Sequence, residues 1–106
     1  MTEDELLRAV TRMCEERLLR WTHHPDSRKD AGHKGFPDLV IAGPRGTVFA
    51  ELKDNRKSLT PDQRQWGSVL DKGGELWFIW RPRDLESGAI QKALDSIALH
   101  RQEKMV

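Results

Sequence analysis

The chain has 106 residues, 37% of them apolar and 33% charged, with a net charge of +1 and one cysteine. That size suits a single domain over residues 1–106 with one core, and no apolar run approaches the ~20 residues that cross a bilayer. A lone Cys14 excludes an intrachain disulfide, and the acidic start "MTEDELL" lacks the basic region of a secretion signal, so a reducing, cytoplasmic setting is expected.

Residues 2–19 read as a helix. Leu6, Val10, Met13, Cys14 and Leu18 recur at helical spacing, and Thr2 with Glu5 forms a capping box. A short strand is expected at 20–24. Residues 25–36, "PDSRKDAGHKGF", form a polar connection long enough to suggest a function. From Arg17 to Lys34 five Arg or Lys and three His stand against two Asp, which on charge alone describes a solvated loop.

Two strands follow at 38–42 and 47–53, around the turn "GPRG". Thr60 opens a second helix, with Pro61 at its first position and Gln63 closing another capping box. Trp66, Val69 and Leu70 give that helix a buried stripe, and Gly73 with Gly74 ends it. "ELWFIW", residues 75–80, is apolar almost throughout and reads as a strand buried on both faces, stopped by Pro82. A last helix carries Ile90, Ala93, Leu94 and Ile97. The order α-β-β-β-α-β-α predicts an α/β fold, a mixed sheet with helices packed on it. The four tryptophans, Trp21, Trp66, Trp77 and Trp80, read as core or interface residues. Trp77 and Trp80 fall on opposite faces of their strand, so at least one could serve a dimer contact.

The hairpin holds the chemistry. If Gly43 to Gly46 is the tight connection, Ala42 faces Thr47, Ile41 faces Val48, Val40 faces Phe49 and Leu39 faces Ala50. Asp38 then lies opposite Glu51, with Lys53 on the same face. Leu39, Ile41, Val48, Ala50 and Leu52 make a clean core surface on the other face. Opposed carboxylates repel unless something offsets them. One acid could hold a proton, Lys53 could neutralise the pair, or a divalent cation could sit between them. Oxygen ligands of this kind suit Mg²⁺ or Mn²⁺. His23, His24 and His33 with Cys14 lack zinc-site spacing.

Pro37-Asp38 followed by Glu51-Leu52-Lys53 matches the PD-(D/E)xK nuclease signature. "GFPDLVIA", "VFAELKD", "LTPDQRQW" and "GGELWFIWRP", in that order, resemble its VRR-NUC branch, which includes small stand-alone phage proteins. The resemblance runs from about Glu3 to Leu99. It implies a restriction-endonuclease-like α-β-β-β-α-β core and a Mg²⁺- or Mn²⁺-dependent endonuclease acting on DNA. Asp38, Glu51 and the backbone carbonyl of Leu52 would then be metal ligands and Lys53 the catalytic lysine, with Gln63 near the active site. A glutamate of the first helix would join them, either Glu3 or Glu5. Spacing to Leu6, Leu7 and Val10 favours Glu3, since Glu5 already serves the cap.

The loop residues His23, His24, Arg28, Lys29, His33 and Lys34 would be placed to contact phosphates, as would Arg56, Lys57 and Arg64 after the motif. Small size and near-neutral charge fit recognition of DNA shape, as in a branched substrate such as a Holliday junction. Two symmetric cuts need two sites, which a two-fold homodimer supplies. A phage-encoded protein of this kind would work in its host's cytoplasm. The competing functions are a non-catalytic DNA-binding module and a protein-interaction module on the same scaffold.

Overall fold

The computed structural model describes residues 1–25 and 31–99. Its elements are α1 (Glu3–Glu16), β1 (Arg20–His23), β2 (Leu39–Gly43), β3 (Gly46–Leu52), α2 (Pro61–Lys72), β4 (Leu76–Trp80), α3 (Pro82–Glu86) and α4 (Ala89–Ile97). The strands lie in the order β1-β2-β3-β4. The first three are antiparallel, and β4 runs parallel to β3. Parallel neighbours need a crossover, and α2 supplies it. No helix among the described residues is long and apolar enough to cross a membrane.

The hairpin register is the one that the turn dictates. Ala42 pairs with Thr47, Ile41 with Val48, Val40 with Phe49 and Leu39 with Ala50. Gly43 pairs with Gly46, so the connection is the two residues Pro44 and Arg45. The Arg45 N–H donates to the Ile97 carbonyl at 3.1 Å, which ties the turn to the end of α4.

Alternation then assigns the two faces. Leu39, Ile41, Val48, Ala50, Leu52 and Trp80 are buried with Leu6, Val10 and Cys14 of α1 and Ile90, Leu94 and Ile97 of α4. Each fully buried aliphatic side chain contributes about 1.5–3 kcal/mol, so this face supplies most of the apolar stabilisation. Burial pushes the Cys14 thiol up to about 11, which makes it a packing residue rather than a nucleophile. Arg17 Nε donates to Asp95 Oδ1 at 2.7 Å and links α1 to α4.

The second face carries α2. Gly67 is its one buried residue among those described, and it lies against the Trp77 indole so closely that a Cβ would collide with the ring. Phe36 fills the rest of this side. Its ring meets His24, Phe49 and Trp66 edge to face at 5.4, 6.3 and 5.0 Å.

Four details depart from the sequence reading. Val69 is 56% exposed and lies off the buried stripe, because Gly67 lets the helix rest on Trp77 instead. Leu18 is 80% exposed with φ at 58°, since it follows the C-cap Arg17 in the position that ends α1, not on its apolar face. β4 is an edge strand with half-exposed side chains rather than a strand buried on both faces. Pro82 ends β4 but also starts α3, a short helix that the sequence reading omits.

Two substitutions follow from this packing. Gly67→Ala gains about 1 kcal/mol of helix propensity but overpacks Trp77 at a cost of roughly 1–3 kcal/mol, so a net loss is expected in urea denaturation. Leu18→Gly relieves a left-handed L-residue and is expected to raise stability by about 1 kcal/mol in the same measurement.

Candidate active site

Asp38 sits one residue outside the β2–β3 ladder, whose last pair is Leu39 with Ala50. Its backbone and side chain are tied to different strands. The Asp38 carbonyl accepts from the His24 N–H at 2.7 Å, at the end of β1. Its Oδ2 accepts from the Leu52 N–H at 2.9 Å, on β3. Glu51 is held between β3 and β4, opposite Ile79, and is only 3% exposed. Lys53 follows β3 and is 9% exposed. Its N–H donates to the Trp80 carbonyl at 3.0 Å.

Gln63 performs both tasks open to it. Its Oε1 accepts from the Thr60 N–H at 2.9 Å, and Thr60 Oγ1 accepts from its N–H at 3.2 Å, which completes the cap of α2. The other end of the same amide is thereby free, and Nε2 donates to Glu51 Oε1 at 2.7 Å. Gly35 makes this approach possible. With φ at 91°, it runs against the first turn of α2, where a Cβ would lie 2.5 Å from the Asp62 carbonyl carbon.

The Asp38 and Glu51 carboxyls lie within hydrogen-bonding reach of each other. Burial raises Glu51 from its ordinary value to about 8, and the Asp38 charge adds to this, while Lys53 opposes it. Burial also raises Asp38, against the Leu52 N–H, the Glu51 hydrogen bond and the His23 charge. Burial and mutual repulsion thus push both carboxyls of the pair above their ordinary values, Glu51 to about 8. Of the three ways to offset the repulsion, Lys53 acts directly, since its charge draws Glu51 back down.

The two first-helix glutamates have different surroundings. Glu5 Oε1 accepts from the Thr2 N–H at 3.0 Å, and Thr2 Oγ1 accepts from the Glu5 N–H at 3.1 Å. The hydrogen bond from the Thr2 backbone holds its carboxyl below the usual range. Glu3 faces inward. Its Oε2 meets Lys57 Nζ at 3.2 Å, and its charge reaches Asp38.

Among the described residues no three His, Cys, Asp or Glu side chains gather as a ready metal cage. The donor set is nevertheless suited to a hard cation. A half-buried and a buried carboxyl lie together, both pushed up by burial, a cost that a cation would relieve, and the donors are all oxygen. Asp38, Glu51 and the Leu52 carbonyl between Glu51 and Lys53 are the groups that could hold Mg²⁺ or Mn²⁺.

The basic candidates fall in several places. His23 lies on β1 opposite Leu39, and His24 packs on Phe36. His33 and Lys34 line a cleft of about 270 Å³ with Asp62, Gln65, Trp66 and Val69. The His33 carbonyl accepts from the Trp66 indole N–H at 3.2 Å. Arg56, Lys57 and Arg64 are exposed. Arg28 and Lys29 lie outside the described residues. Asp54 and Arg81, which no motif singles out, also stand beside the site. Arg81 Nη1 donates to the carbonyls of Asp54 and Lys57 at 2.6 and 2.7 Å. The available signal was its place at the end of a strand parallel to β3.

Folded Glu51 keeps its proton up to about pH 8, whereas its ordinary value is 4.5. The native state binds more protons between those values, so metal-free stability falls as pH rises through that window. Glu51→Gln keeps the shape and cannot ionise. It is expected to match wild type near pH 5 and to exceed it by a few kcal/mol at pH 8, read from thermal melts in chelator across that range.

No family model and no curated protein matches the sequence. Among solved structures, a VRR_NUC domain protein is similar with a TM-score of 0.63 and 24% identity, over 93% of this chain and 97% of that one. Hjc of Archaeoglobus fulgidus, a Holliday junction resolvase from an archaeal hyperthermophile, is similar with a TM-score of 0.50 and 18% identity. That match covers 76% of this chain and 66% of the Hjc chain. The chain thus has the restriction-endonuclease-like fold seen in a VRR_NUC domain protein and in an archaeal junction resolvase.

Proposed function

We propose that this protein is a single-domain, divalent-metal-dependent DNA endonuclease of the VRR-NUC type, acting as a homodimer on branched DNA such as Holliday junctions in the cytoplasm. The observation that carries this reading is the close Asp38–Glu51 pair, with Asp38 half-buried and Glu51 buried, held by the Leu52 N–H and Gln63 and flanked by a nearly buried Lys53. A merely structural acid pair would be a poor use of that position, because one member must hold a proton to be tolerated. The junction-resolving activity in the description of the Hjc neighbour supports a branched substrate.

Each residue then has a definite task. A divalent cation held by Asp38, Glu51 and the Leu52 carbonyl would polarise the scissile phosphodiester and lower the pKa of an attacking water. Glu51 must release its proton before it can serve as a ligand. Gln63 holds Glu51 Oε1 from one side and so fixes the direction of the carboxylate. The Leu52 N–H does the same for Asp38 Oδ2. Lys53 brings a positive charge and N–H donors to the face where charge develops on the phosphate. His33, Lys34 and Arg56 are exposed and available to DNA phosphates.

A cleavage panel tests the reading. Four-way junction, flap, single strand and plain duplex are incubated with Mg²⁺ or Mn²⁺ and wild type, Glu51→Ala or Lys53→Ala. Metal-dependent nicking of the junction is expected, with a loss of roughly 10²-fold or more in either variant. Binding without cutting of any substrate would instead identify a DNA-binding module. Retention of a partner protein with no affinity for DNA would identify an interaction module.

A further inference from the structure

The segment after Lys53 has no regular secondary structure, yet it is closely built. Asp54 Oδ1 accepts from the N–H groups of Arg56 and Lys57 at 2.7 and 2.9 Å, which folds the chain into a turn. Arg81 then grips both ends of that turn with one nitrogen, through the Asp54 and Lys57 carbonyls. Charge-assisted hydrogen bonds of this kind are stronger than neutral ones. Arg81 is itself well anchored. Its N–H donates to Asp84 Oδ2 at 2.8 Å, and it stands between the buried residues Trp80 and Pro82. Asn55 Oδ1 accepts from the Arg83 N–H at 3.3 Å, a further tie between the turn and α3.

This framework presents Lys57 to α1. Its Nζ crosses to Glu3 Oε2, while its stem stays largely in solvent. An exposed lysine on a loose loop would hold a carboxylate weakly, because the loop would have to be ordered each time. Here the loop is ordered beforehand. Glu3 is also close enough to act on Asp38 through its charge. It is therefore an acid at the rim of the metal-binding pair that is engaged by another cation.

We propose that Lys57 is a latch that competes with the metal for Glu3, and that Arg81 is the positioning residue that holds the latch in place. The role rests on the nuclease function proposed above. The Lys57–Glu3 ion pair holds a third carboxylate beside the Asp38–Glu51 pair and occupies it. When DNA arrives, a phosphate can take Lys57 in place of Glu3. That would leave Glu3 available as a further ligand to a cation held by Asp38 and Glu51. DNA and metal would accordingly bind with positive cooperativity.

Mn²⁺ titration by calorimetry without DNA tests this apart from activity. Lys57 is exposed, so Lys57→Met should fold as wild type. It is expected to tighten Mn²⁺ binding about two- to five-fold, the range that an exposed ion pair allows. Arg81→Met should tighten it in the same direction, and Arg81→Lys should restore most of the wild-type value. The double variant Lys57→Met with Arg81→Met should gain no more than Lys57→Met alone. In a Glu3→Gln background the gain from Lys57→Met should vanish. A gain that persists without Glu3 would show a general charge effect and overturn the latch, as would unchanged affinity in Lys57→Met. If wild type binds Mn²⁺ and cuts DNA but Lys57→Met gives no Glu3-dependent gain, only the latch falls. If wild type neither binds Mn²⁺ nor cuts any DNA, the nuclease reading falls and takes the latch with it.

Discussion

Two carboxyls set side by side and drawn out of water, as half-buried Asp38 and buried Glu51 are, cannot both keep their charge without cost unless a cation or a proton stands between them. That constraint organises this molecule. Asp38 and Glu51 meet because a two-residue turn sets the register of β2 against β3, and the Lys53 charge offsets part of their repulsion. The surrounding contacts make sense as the means of keeping the pair together. Gln63, the Leu52 N–H and the His24 N–H each hold one of the two acids from a different element. The cost of this arrangement is borne by the opposite face of the same strands, where Leu39, Ile41, Val48, Ala50 and Leu52 are buried under α1 and α4.

The sheet therefore separates stability from chemistry by the simple alternation of side chains. One face is apolar and closed by two helices. The other is closed only in part, by α2 and Phe36, and ends in the acidic pair. Gly67 and Gly35 matter because each removes a side chain where this second layer comes closest. Gly67 lets α2 rest on Trp77, and Gly35 lets the segment before Pro37 reach the first turn of α2. A one-residue slip in the hairpin would exchange the faces, burying the polar set and exposing the core.

Much of this could be read directly from the residues. The capping boxes at Thr2 and Thr60, the apolar spacing in α1 and α4, and the turn between Gly43 and Gly46 are local features, decided by residues three or four apart. Leu18 and Val69 were misplaced for the same reason. Periodicity puts them on apolar faces, but a helix end and a close glycine contact put them in solvent. The apolar run at β4 has the composition of an interior strand, and composition alone does not reveal that no fifth strand follows it among the described residues.

By itself the sequence determined the element order, the hairpin register, and the opposition of Asp38 and Glu51 with Lys53 beside them. These follow from short-range turn chemistry and the two-residue period of a strand. Tertiary structure alone decided how those groups are held and charged. Gln63 reaches Glu51 only because α2 is a crossover between parallel strands. Glu51 is pushed up to about 8 chiefly because the packed layers remove it from water. Lys57 meets Glu3, and Arg81 grips the turn that carries Lys57, across sequence separations that no local pattern records. Such contacts depend on where the whole chain closes, and closure belongs to the fold rather than to any stretch of it.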